Sequence, residues 1–292
     1  MLPLLARRFF ASIALLGCAG TTLAAQPLKL DVYNPGAEAI FPVSSVLVSA
    51  EKEAILIDAQ FANSQAKDVV EKIRQSGKNL TTIYISHGDP DYYFGLQAIT
   101  DAYPKARVVA SAETVAHIKQ TMDGKLAYWG PKLGTDAPSR LVVPEVIQGS
   151  TLKLEGHDLQ IVGLDGPQPD RTFVWIPSLK AVVGGVVLSS NIHVWMADTQ
   201  SAKSHQDWLT TLATIEKLKP SVIVPGHFLP GDQKPEQSPA LTAAYIKTFD
   251  AETAKAKDSA ALINAMKAHY PKLGEESSLE LSAKVAKGEM KW

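Results

Sequence analysis

The sequence has almost no cysteine, no excess of charge of either sign and no long basic stretch. Its 292 residues contain 29 Lys and Arg against 30 Asp and Glu, which gives a net charge of -1. A nucleic-acid-binding protein needs a basic face to neutralise phosphates, and this composition argues against one. With 46% hydrophobic and 20% charged residues, the chain is an ordinary globular sequence, long enough for one large domain or two small ones.

The first 25 residues have the pattern of a secretory signal peptide. Arg7 and Arg8 precede an apolar stretch over 9–17, and small residues follow through Ala25. A bilayer-spanning helix takes about 20 apolar residues, so this stretch is too short to remain as a membrane span. We therefore exclude residues 1–25 from the fold, and we predict an exported chain that is periplasmic or secreted.

Cys18, the only cysteine, lies inside that segment. Leu15–Cys18 resembles a lipoprotein box, in which the cysteine is lipidated, but the bulky Leu16 fits that box poorly and favours plain cleavage. Arg7–Phe10 also has a faint resemblance to a twin-arginine signal. After plain cleavage the chain has no disulfide and no thiolate ligand, so any metal must bind to His, Asp, Glu or Tyr.

Strand-like and helical patterns alternate along the rest of the chain, which predicts a layered α/β domain. A first half with this alternation runs over 28–110, and a second begins near Leu152. Beyond Pro230 the pattern is helical. Because no internal repeat or long low-complexity linker interrupts the chain, we predict one main domain over 26–235 and a helical C-terminal extension over 236–292 that packs on it.

The most informative segment is Ser86–Gly95, which follows an apolar strand-like stretch. It places His87, Asp89 and Asp91 at alternating positions where that strand ends. A second polar residue of the same kind, His227, follows another strand-like stretch much later in the chain. In a β sandwich those strand ends can meet at one edge, and imidazole and carboxylate groups that converge there are the usual ligands of a metal ion open to substrate.

Several segments in order resemble the metallo-β-lactamase superfamily. They are 87–95 for the ligand loop, which commonly ends in D-H-F-F-G; 166–170 for G-H-T-P-[GD]; 175–177 for W-x-P; 183–186 for LFxGD; 191–198 for a segment of hydrolase-like branches; and 224–227 for VPGH. The resemblance covers most of the mature chain. It implies a four-layer αββα sandwich and a hydrolase that uses divalent metal ions.

The chain departs from the family pattern at several ligand positions. The family usually holds two zinc ions, and His87, Asp91 and His227 match its ligands, while Asp89 replaces a His. The other ligand positions carry Tyr92, Pro167 and Val186. Because Pro and Val cannot ligate, the resemblance implies an atypical site for one ion on His87, Asp89, Asp91 and His227. Zinc is the ion expected from the family, but this oxygen-rich set also suits iron or manganese.

The chemistry implied by such a site is hydrolysis. A bound ion lowers the pKa of its water from ~15.7 towards ~7. Asp91 would position that water or accept its proton, and the ion or Tyr92 would polarise the substrate carbonyl. Alternatively, Tyr92 ligates as tyrosinate, or Asp89 and Asp91 only cap backbone amides at the turn. The remaining candidates for the pocket wall are His193, Trp195, Asp198 and Tyr93, of which His193 and Asp198 either face the pocket or stabilise their loop.

We therefore predict an exported hydrolase of a small ester, lactone or amide, whose partner is a small molecule and not a nucleic acid. β-Lactam hydrolysis is not expected, because it depends on ligands that this chain lacks. Two alternatives remain open. One is an iron-dependent redox or oxygen-handling protein, since the oxygen-reducing flavodiiron branch also has a carboxylate at the position of Asp89. The other is a metal-free, non-catalytic binding protein.

Overall fold

The computed structural model describes residues 26–231 and 234–292, so the predicted signal peptide and Cys18 lie outside the described residues. The strands are β1 (Lys29–Tyr33), β2 (Ser45–Ser49), β3 (Glu53–Ile57), β4 (Asn79–Ile85), β5 (Arg107–Ala110), β6 (Glu145–Val146), β7 (Thr151–Leu154), β8 (His157–Val162), β9 (Phe173–Ile176), β10 (Ala181–Val183), β11 (Ser189–Ser190), β12 (Val222–Val224) and β13 (His227–Phe228). The helices are α1 (Asn63–Ser76), α2 (Pro90–Tyr93), α3 (Leu96–Ala102), α4 (Ala112–Leu133), α5 (Ala202–Leu218), α6 (Ser238–Lys255), α7 (Ser259–His269) and α8 (Glu276–Ala286).

The strands form two large sheets and one small one. The first sheet has the order β1-β2-β3-β4-β5-β6, with antiparallel pairing from β1 to β3 and parallel pairing from β3 onwards. The second has the order β12-β10-β9-β8-β7, and β11 pairs with β13 separately. Parallel pairing brings the carboxyl ends of β3 and β4 to one edge of the first sheet, where the polar loop begins.

Both faces of each large sheet are buried, because successive residues of a strand point to opposite sides. In β3, Ile55 and Ile57 join the core between the sheets, whereas Leu56 joins the core under the helices. In β9 the same alternation sends Val174 inward and Trp175 outward. Two cores on either side of each sheet make a four-layer αββα sandwich, and this confirms the predicted fold class.

The C-terminal helices pack on this sandwich. Buried residues of α6, α7 and α8, such as Phe249, Met266 and Leu279, belong to the same hydrophobic core as Trp208 of α5. The structure therefore agrees with a helical extension that packs on the main domain. Within the described residues, no helix combines the length and the apolar character needed to cross a bilayer.

A buried carboxylate ties together the strand ends that carry the site. Asp58, directly after β3, accepts hydrogen bonds from the backbone N and the Oγ of Ser86, both at 2.8 Å. The backbone N of Gly185 donates to the same Oγ at 3.1 Å. Gly185 has φ of 88°, a conformation that favours glycine. Burial raises the pKa of Asp58 to about 7. This polar junction fixes the start of the loop at His87.

Candidate functional site

The loop after β4 continues into the short helix α2. This helix separates the two aspartates of the loop, because Asp89 precedes it and Asp91 lies within it. Pro90 begins that helix and Asp89 precedes it in an extended conformation, but the Asp89 side chain makes no capping hydrogen bond. Asp91 lies in the first turn. The alternative that Asp89 only caps backbone amides is therefore wrong, because its carboxylate turns back towards His87.

Asp89 is the centre of a first group, which we call the ion-pair cluster: His87, Asp89, His117 and Lys125. His87 Nε2 lies 2.9 Å from Asp89 Oδ2, and Asp89 Oδ1 accepts a hydrogen bond from Lys125 Nζ. His117 Nε2 lies 3.8 Å from the same Oδ1. The side chains of His87, Asp89 and Lys125 are 4%, 16% and 20% exposed, so one shielded carboxylate contacts two basic groups.

The hydrogen bonds of His87 define its protonation. Its Nδ1 donates to the carbonyl oxygen of Asp170 at 2.9 Å, and its Nε2 faces the carboxylate of Asp89. Because both partners only accept, both ring nitrogens carry protons and the ring is an imidazolium. Burial alone would lower the pKa of His87, but the charge of Asp89 outweighs it and raises the pKa above its ordinary value.

Charge stabilises Asp89 and Lys125 in their ionised forms. Burial alone would raise the pKa of Asp89, but His87 and Lys125 hold it well below its ordinary range. In the same way, Asp89 raises the pKa of Lys125 against the effect of burial. The cluster is therefore a network of charged groups and not a set of free metal ligands.

A second group, which we call the hydrogen-bond chain, consists of Asp91, His227 and Tyr92. His227 Nε2 lies 2.7 Å from Asp91 Oδ2, and His227 Nδ1 lies 3.1 Å from the Tyr92 hydroxyl. Burial and the charge of Asp91 raise the pKa of Tyr92 well above its ordinary value, so the hydroxyl keeps its proton and donates a hydrogen bond to His227 Nδ1. His227 Nε2 then donates a hydrogen bond to Asp91.

Glycine is required at position 226, directly before the histidine of the hydrogen-bond chain. A Cβ at Gly226 would lie 2.2 Å from the carbonyl oxygen of Gly185 and 2.9 Å from the Tyr92 hydroxyl. The backbone before His227 therefore passes so close to the neighbouring strand end that no side chain fits. This close approach brings the imidazole within hydrogen-bonding distance of Asp91.

A small cavity of about 50 Å³ lies beside both groups. This is room for a few water molecules, since one water needs about 10–15 Å³. Four of the five tryptophans line it: Trp129, Trp195, Trp208 and Trp292. Its polar lining consists of Asp89, Asp91, Lys125, Ser189, His193, Asp198, His227, Glu275 and Ser278. The cavity is thus apolar on one side and strongly polar on the other.

Aromatic side chains form one wall of this cavity. Trp292 Nε1 donates to Asp198 Oδ1 at 2.6 Å, and Trp195 Nε1 donates to the other oxygen of that carboxylate. The two indole rings are 5.3 Å apart. Phe41 continues the wall, with its ring 5.7 Å from Trp195 and 5.1 Å from Trp129. Asp198 thus holds two of these rings together.

The structure separates the candidate pocket residues into two sets. His193, Trp195 and Asp198 line the cavity. Tyr93 does not: it is fully buried, its ring packs 5.2 Å from that of Phe94, and its hydroxyl has no hydrogen-bond partner among the described residues. The expectation for Tyr93 is therefore wrong, because the first turn of α2 directs it into the core.

Tyr92 also differs from its expected role. It is fully buried and is absent from the cavity wall, so it does not contact a substrate carbonyl there. Its ring centroid lies 5.4 Å from that of His87 and 5.5 Å from that of His227, so it packs against both groups. Its hydroxyl positions His227, and an oxyanion-binding role is a wrong expectation for this reason.

Sequence reasoning missed Lys125, the residue that most changes the chemistry of the loop. His117, Thr121 and Lys125 recur every fourth residue, which places them on one face of α4. Neither basic residue lies near the motif in sequence, and a lysine in an amphipathic helix gives no signal by itself. The spacing could have shown that His117 and Lys125 lie on one face of a helix, but only the packing of α4 on the loop assigns them to the site.

The residues present do not fit a resident metal ion. Among the described residues, no three His, Cys, Asp or Glu side chains are grouped so that they could hold one. A histidine or carboxylate binds a metal through a free lone pair. Here both nitrogens of His87 donate hydrogen bonds, Lys125 contacts Asp89, and Asp91 pairs with His227. The expected ring of His87, Asp89, Asp91 and His227 around one ion is thus replaced by two separate groups.

Comparison with known proteins identifies the family. The sequence model of the metallo-beta-lactamase superfamily matches residues 40–227, which is more than half of the chain. The chain belongs to the metallo-β-lactamase superfamily. Members of this superfamily generally bind divalent metals such as zinc, so the two groups described above are a departure within it.

Solved structures with the same fold are distant in sequence. A metallo-beta-lactamase family protein from Thermus thermophilus is similar with a TM-score of 0.62 at 17% identity, covering 89% of this chain and 91% of that one. A metallo-beta-lactamase from Pontibacter korlensis has a TM-score of 0.54 at 16% identity, covering 77% and 97%. At this level of identity, the likeness extends to the fold alone.

Curated relatives are similarly remote. The uncharacterized protein YobT of Bacillus subtilis (strain 168) is 36% identical over 73 residues, a quarter of this chain (25%) and 31% of its own length. The chain thus spans less than a third of that relative. The metallo-beta-lactamase type 2 of Bacillus sp. (strain 170) is 21% identical over 195 residues, which is 66% of this chain and 69% of that protein.

Proposed function

We propose that this superfamily member is an exported hydrolase of a small, uncharged ester, lactone or amide. The observation that supports this most directly is the hydrogen-bond chain. Asp91 and His227 both line the cavity, and Tyr92 orients the imidazole from behind. A carboxylate held by a histidine next to a water-sized cavity is an arrangement suited to general base catalysis.

The proposed reaction uses this chain's own side chains. The hydrogen bonds described engage Oδ2 of Asp91, which leaves Oδ1 to accept a proton from a cavity water. As the water oxygen bonds to the substrate carbonyl carbon, its proton moves to Asp91 and the carbonyl electron pair moves to the oxygen. When the bond to the leaving alcohol or amine breaks, the same proton passes to the leaving group.

Lys125 is the group in the cavity wall that can stabilise the developing negative charge. Its ammonium group is held by Asp89, so it is positioned before the substrate arrives. Tyr92 and His87 act only through the residues that they contact, His227 and Asp89, because neither lines the cavity. The catalytic residues of this proposal are therefore Asp91 and Lys125, and His227 and Tyr92 are positioning residues.

The charges around the cavity support an uncharged substrate. Asp89, Asp91, Asp198 and Glu275 face one ammonium group, that of Lys125. A substrate carboxylate would meet this excess of negative charge, whereas an aromatic wall suits an apolar group. Entry of a substrate larger than a few waters requires the Trp195 and Trp292 rings to move apart, because the cavity is small as it stands.

The experiment is a comparison of chromogenic substrates with the chain over 26–292. Neutral phenyl esters and lactones should be turned over, and their anionic analogues at least tenfold more slowly. Asp91→Asn should abolish turnover, while Asp158→Asn, at an aspartate whose side chain is 44% exposed and pairs with Lys153, should not change it. No turnover by wild type, or full activity of Asp91→Asn, would contradict the proposal.

A second candidate is a non-catalytic binding protein. It is supported by the pairing of His87, Asp89 and Lys125 with one another, which leaves few of their donors free for a substrate. Tryptophan fluorescence would distinguish the two, because the cavity wall contains four tryptophans. Saturable quenching by a neutral aromatic ligand, without product formation, favours binding over hydrolysis.

Export is part of the proposal and has its own test. The first 25 residues have the signal pattern, and the alternatives are plain cleavage and lipidation at Cys18. We expect the mature protein in a periplasmic or secreted fraction, with an N-terminus near residue 26. Intact-mass analysis separates the routes, since lipidation adds acyl chains to a product that begins at Cys18. Retention of the full chain in the cytoplasm would contradict export.

A further inference from the structure

We propose that Lys125 is a built-in cation that takes the place of a metal ion at the His87 loop. In this proposal its ammonium group and the His87 imidazolium together balance Asp89 and keep divalent ions from binding there. The inference concerns metal content and stability, and it does not depend on the proposed hydrolysis.

Both carboxylate oxygens of Asp89 already contact basic groups of the protein. Oδ2 contacts His87 Nε2 at 2.9 Å and Oδ1 contacts Lys125 Nζ, so each oxygen already has a cationic partner. A divalent ion on either oxygen would have to displace one of them. The ion would also lie next to the cationic partner that remained, and like charges in contact repel strongly in a shielded site.

Helix α4, which carries Lys125, is held against the loop at several points. Ser111 caps its first turn by accepting from Thr114 N at 3.0 Å, and the same Oγ donates to the carbonyl oxygen of Pro169 at 3.1 Å. Further along the helix, the His117 ring packs on the loop where a Cβ at Gly88 would lie 2.6 Å from it. Lys125 therefore reaches Asp89 from a rigid element and not from a mobile surface chain.

A ring nitrogen of His117 lies close to the Asp89 oxygen that contacts the ammonium group, and it has no hydrogen-bond partner among the described residues. This nitrogen, Nε2, is buried and lies only 3.8 Å from Asp89 Oδ1. Its ring lies nearly parallel to that of His87, with centroids 6.3 Å apart. If the ammonium group were removed, Asp89 Oδ1 would be left next to the free His117 Nε2, and a carboxylate and an imidazole are both ligands that zinc binds.

A second buried cation contributes to the same balance. Arg171 is 5% exposed, and its guanidinium lies 4.4 Å from the Trp208 ring. Its Nε and Nη2 have no hydrogen-bond partner among the described residues, and its charge acts on His87 and Tyr92. The region around the loop therefore already contains positive charge from the protein itself.

The test is a comparison of zinc binding by wild type, Lys125→Met and Lys119→Met. Methionine keeps the approximate length of lysine without its charge, and Lys119 is an exposed lysine of the same helix. After incubation with zinc and dialysis, elemental analysis should find below about a tenth of an equivalent in wild type and Lys119→Met. Lys125→Met should retain about one equivalent and should gain thermal stability when zinc is added.

A third variant assigns the ligands. In Lys125→Met combined with His117→Ala, zinc binding should weaken at least tenfold relative to Lys125→Met alone. One tightly held equivalent in wild type would overturn the proposal, and this measurement remains decisive if Lys125→Met does not fold. A folded Lys125→Met, shown by circular dichroism, that gains no zinc would overturn it as well. Neither result depends on whether any substrate is hydrolysed.

Discussion

The two polar groups of the site come from the same short loop but have opposite electrostatic character. In the ion-pair cluster, Asp89 is ionised between an imidazolium and an ammonium group. In the hydrogen-bond chain, Asp91 contacts a histidine whose other nitrogen accepts a hydrogen bond from a buried phenol. Two aspartates separated by one proline therefore have different partners: the first is held by two basic groups, and the second is the general base of the proposed reaction.

In our proposal, groups of the protein itself take the role that a metal ion has at this loop in the family. His87 and Asp89 would be drawn together by a metal ion, and here Lys125 from α4 supplies the positive charge. Asp91 and His227 would also share a metal, and here they contact each other directly. In this proposal the charges at the loop are still balanced, although the balancing group belongs to the protein.

The largest effect is expected when the ion-pair cluster is broken at its centre. Asp89→Ala leaves the cationic His87 and Lys125 without their shared partner, and loss of one partner from a buried ion pair costs about 3–5 kcal/mol. Urea denaturation should show this loss in the free energy of unfolding. Asp158→Asn, on the surface, is the control and should change it by less than about 0.5 kcal/mol.

Beneath both groups, Asp58 should make the stability depend on pH. Its pKa is raised to about 7 in the folded protein from its ordinary value of 3.8. A raised acid pKa favours the protonated form in the folded state, so its stabilising contribution is present below about pH 4 and is lost as the pH rises through 7.

Unfolding of wild type and Asp58→Asn at pH 4, 5.5 and 7 measures this contribution. The difference between the two proteins should change by about 3 kcal/mol across that range, since one pKa unit corresponds to ~1.4 kcal/mol. The isosteric amide cannot ionise and provides the control within the same experiment. A pH-independent difference would show that Asp58 is not the titrating group.

A smaller effect is expected at the inner end of the hydrogen-bond chain. Tyr92→Phe removes the hydroxyl that contacts His227 Nδ1, and an unsatisfied buried group costs about 1–3 kcal/mol. Turnover should fall with little change in KM, because Tyr92 does not line the cavity. Tyr93→Phe is a matched control, since the Tyr93 hydroxyl has no hydrogen-bond partner among the described residues. Equal effects of the two variants would argue against a role for the chain.

The smallest effect on stability is expected at the aromatic wall. Trp292 is 39% exposed, so Trp292→Ala should lower the free energy of unfolding by less than about 1 kcal/mol. Because this ring narrows the cavity, the same variant should accept bulkier neutral esters with a several-fold lower KM. Unchanged KM values across a series of ester sizes would show that the ring does not limit entry.

Much of the fold was predictable because it rests on local patterns. A run of consecutive apolar residues, such as Ile55 and Leu56, indicates a strand that is buried on both faces, and the structure shows that arrangement. The argument that strand ends meet at one edge also anticipated the proximity of Asp91 and His227, which lie 136 positions apart. The directions of Tyr92 and Tyr93 were not predictable, because a four-residue helix decides them and its phase has no sequence signature.

The layered fold and the short list of polar residues at its edge can be read from the amino-acid sequence, because apolar patterns and motif order are properties of neighbouring positions. Which charge each of these residues contacts depends on the folded chain. Lys125 lies 36 positions from Asp89, and whether its ammonium group reaches that carboxylate depends on how α4 packs against the loop. Electrostatic energy depends on distances in space, so the difference between a metal ligand and an ion-pair partner is a property of the folded chain.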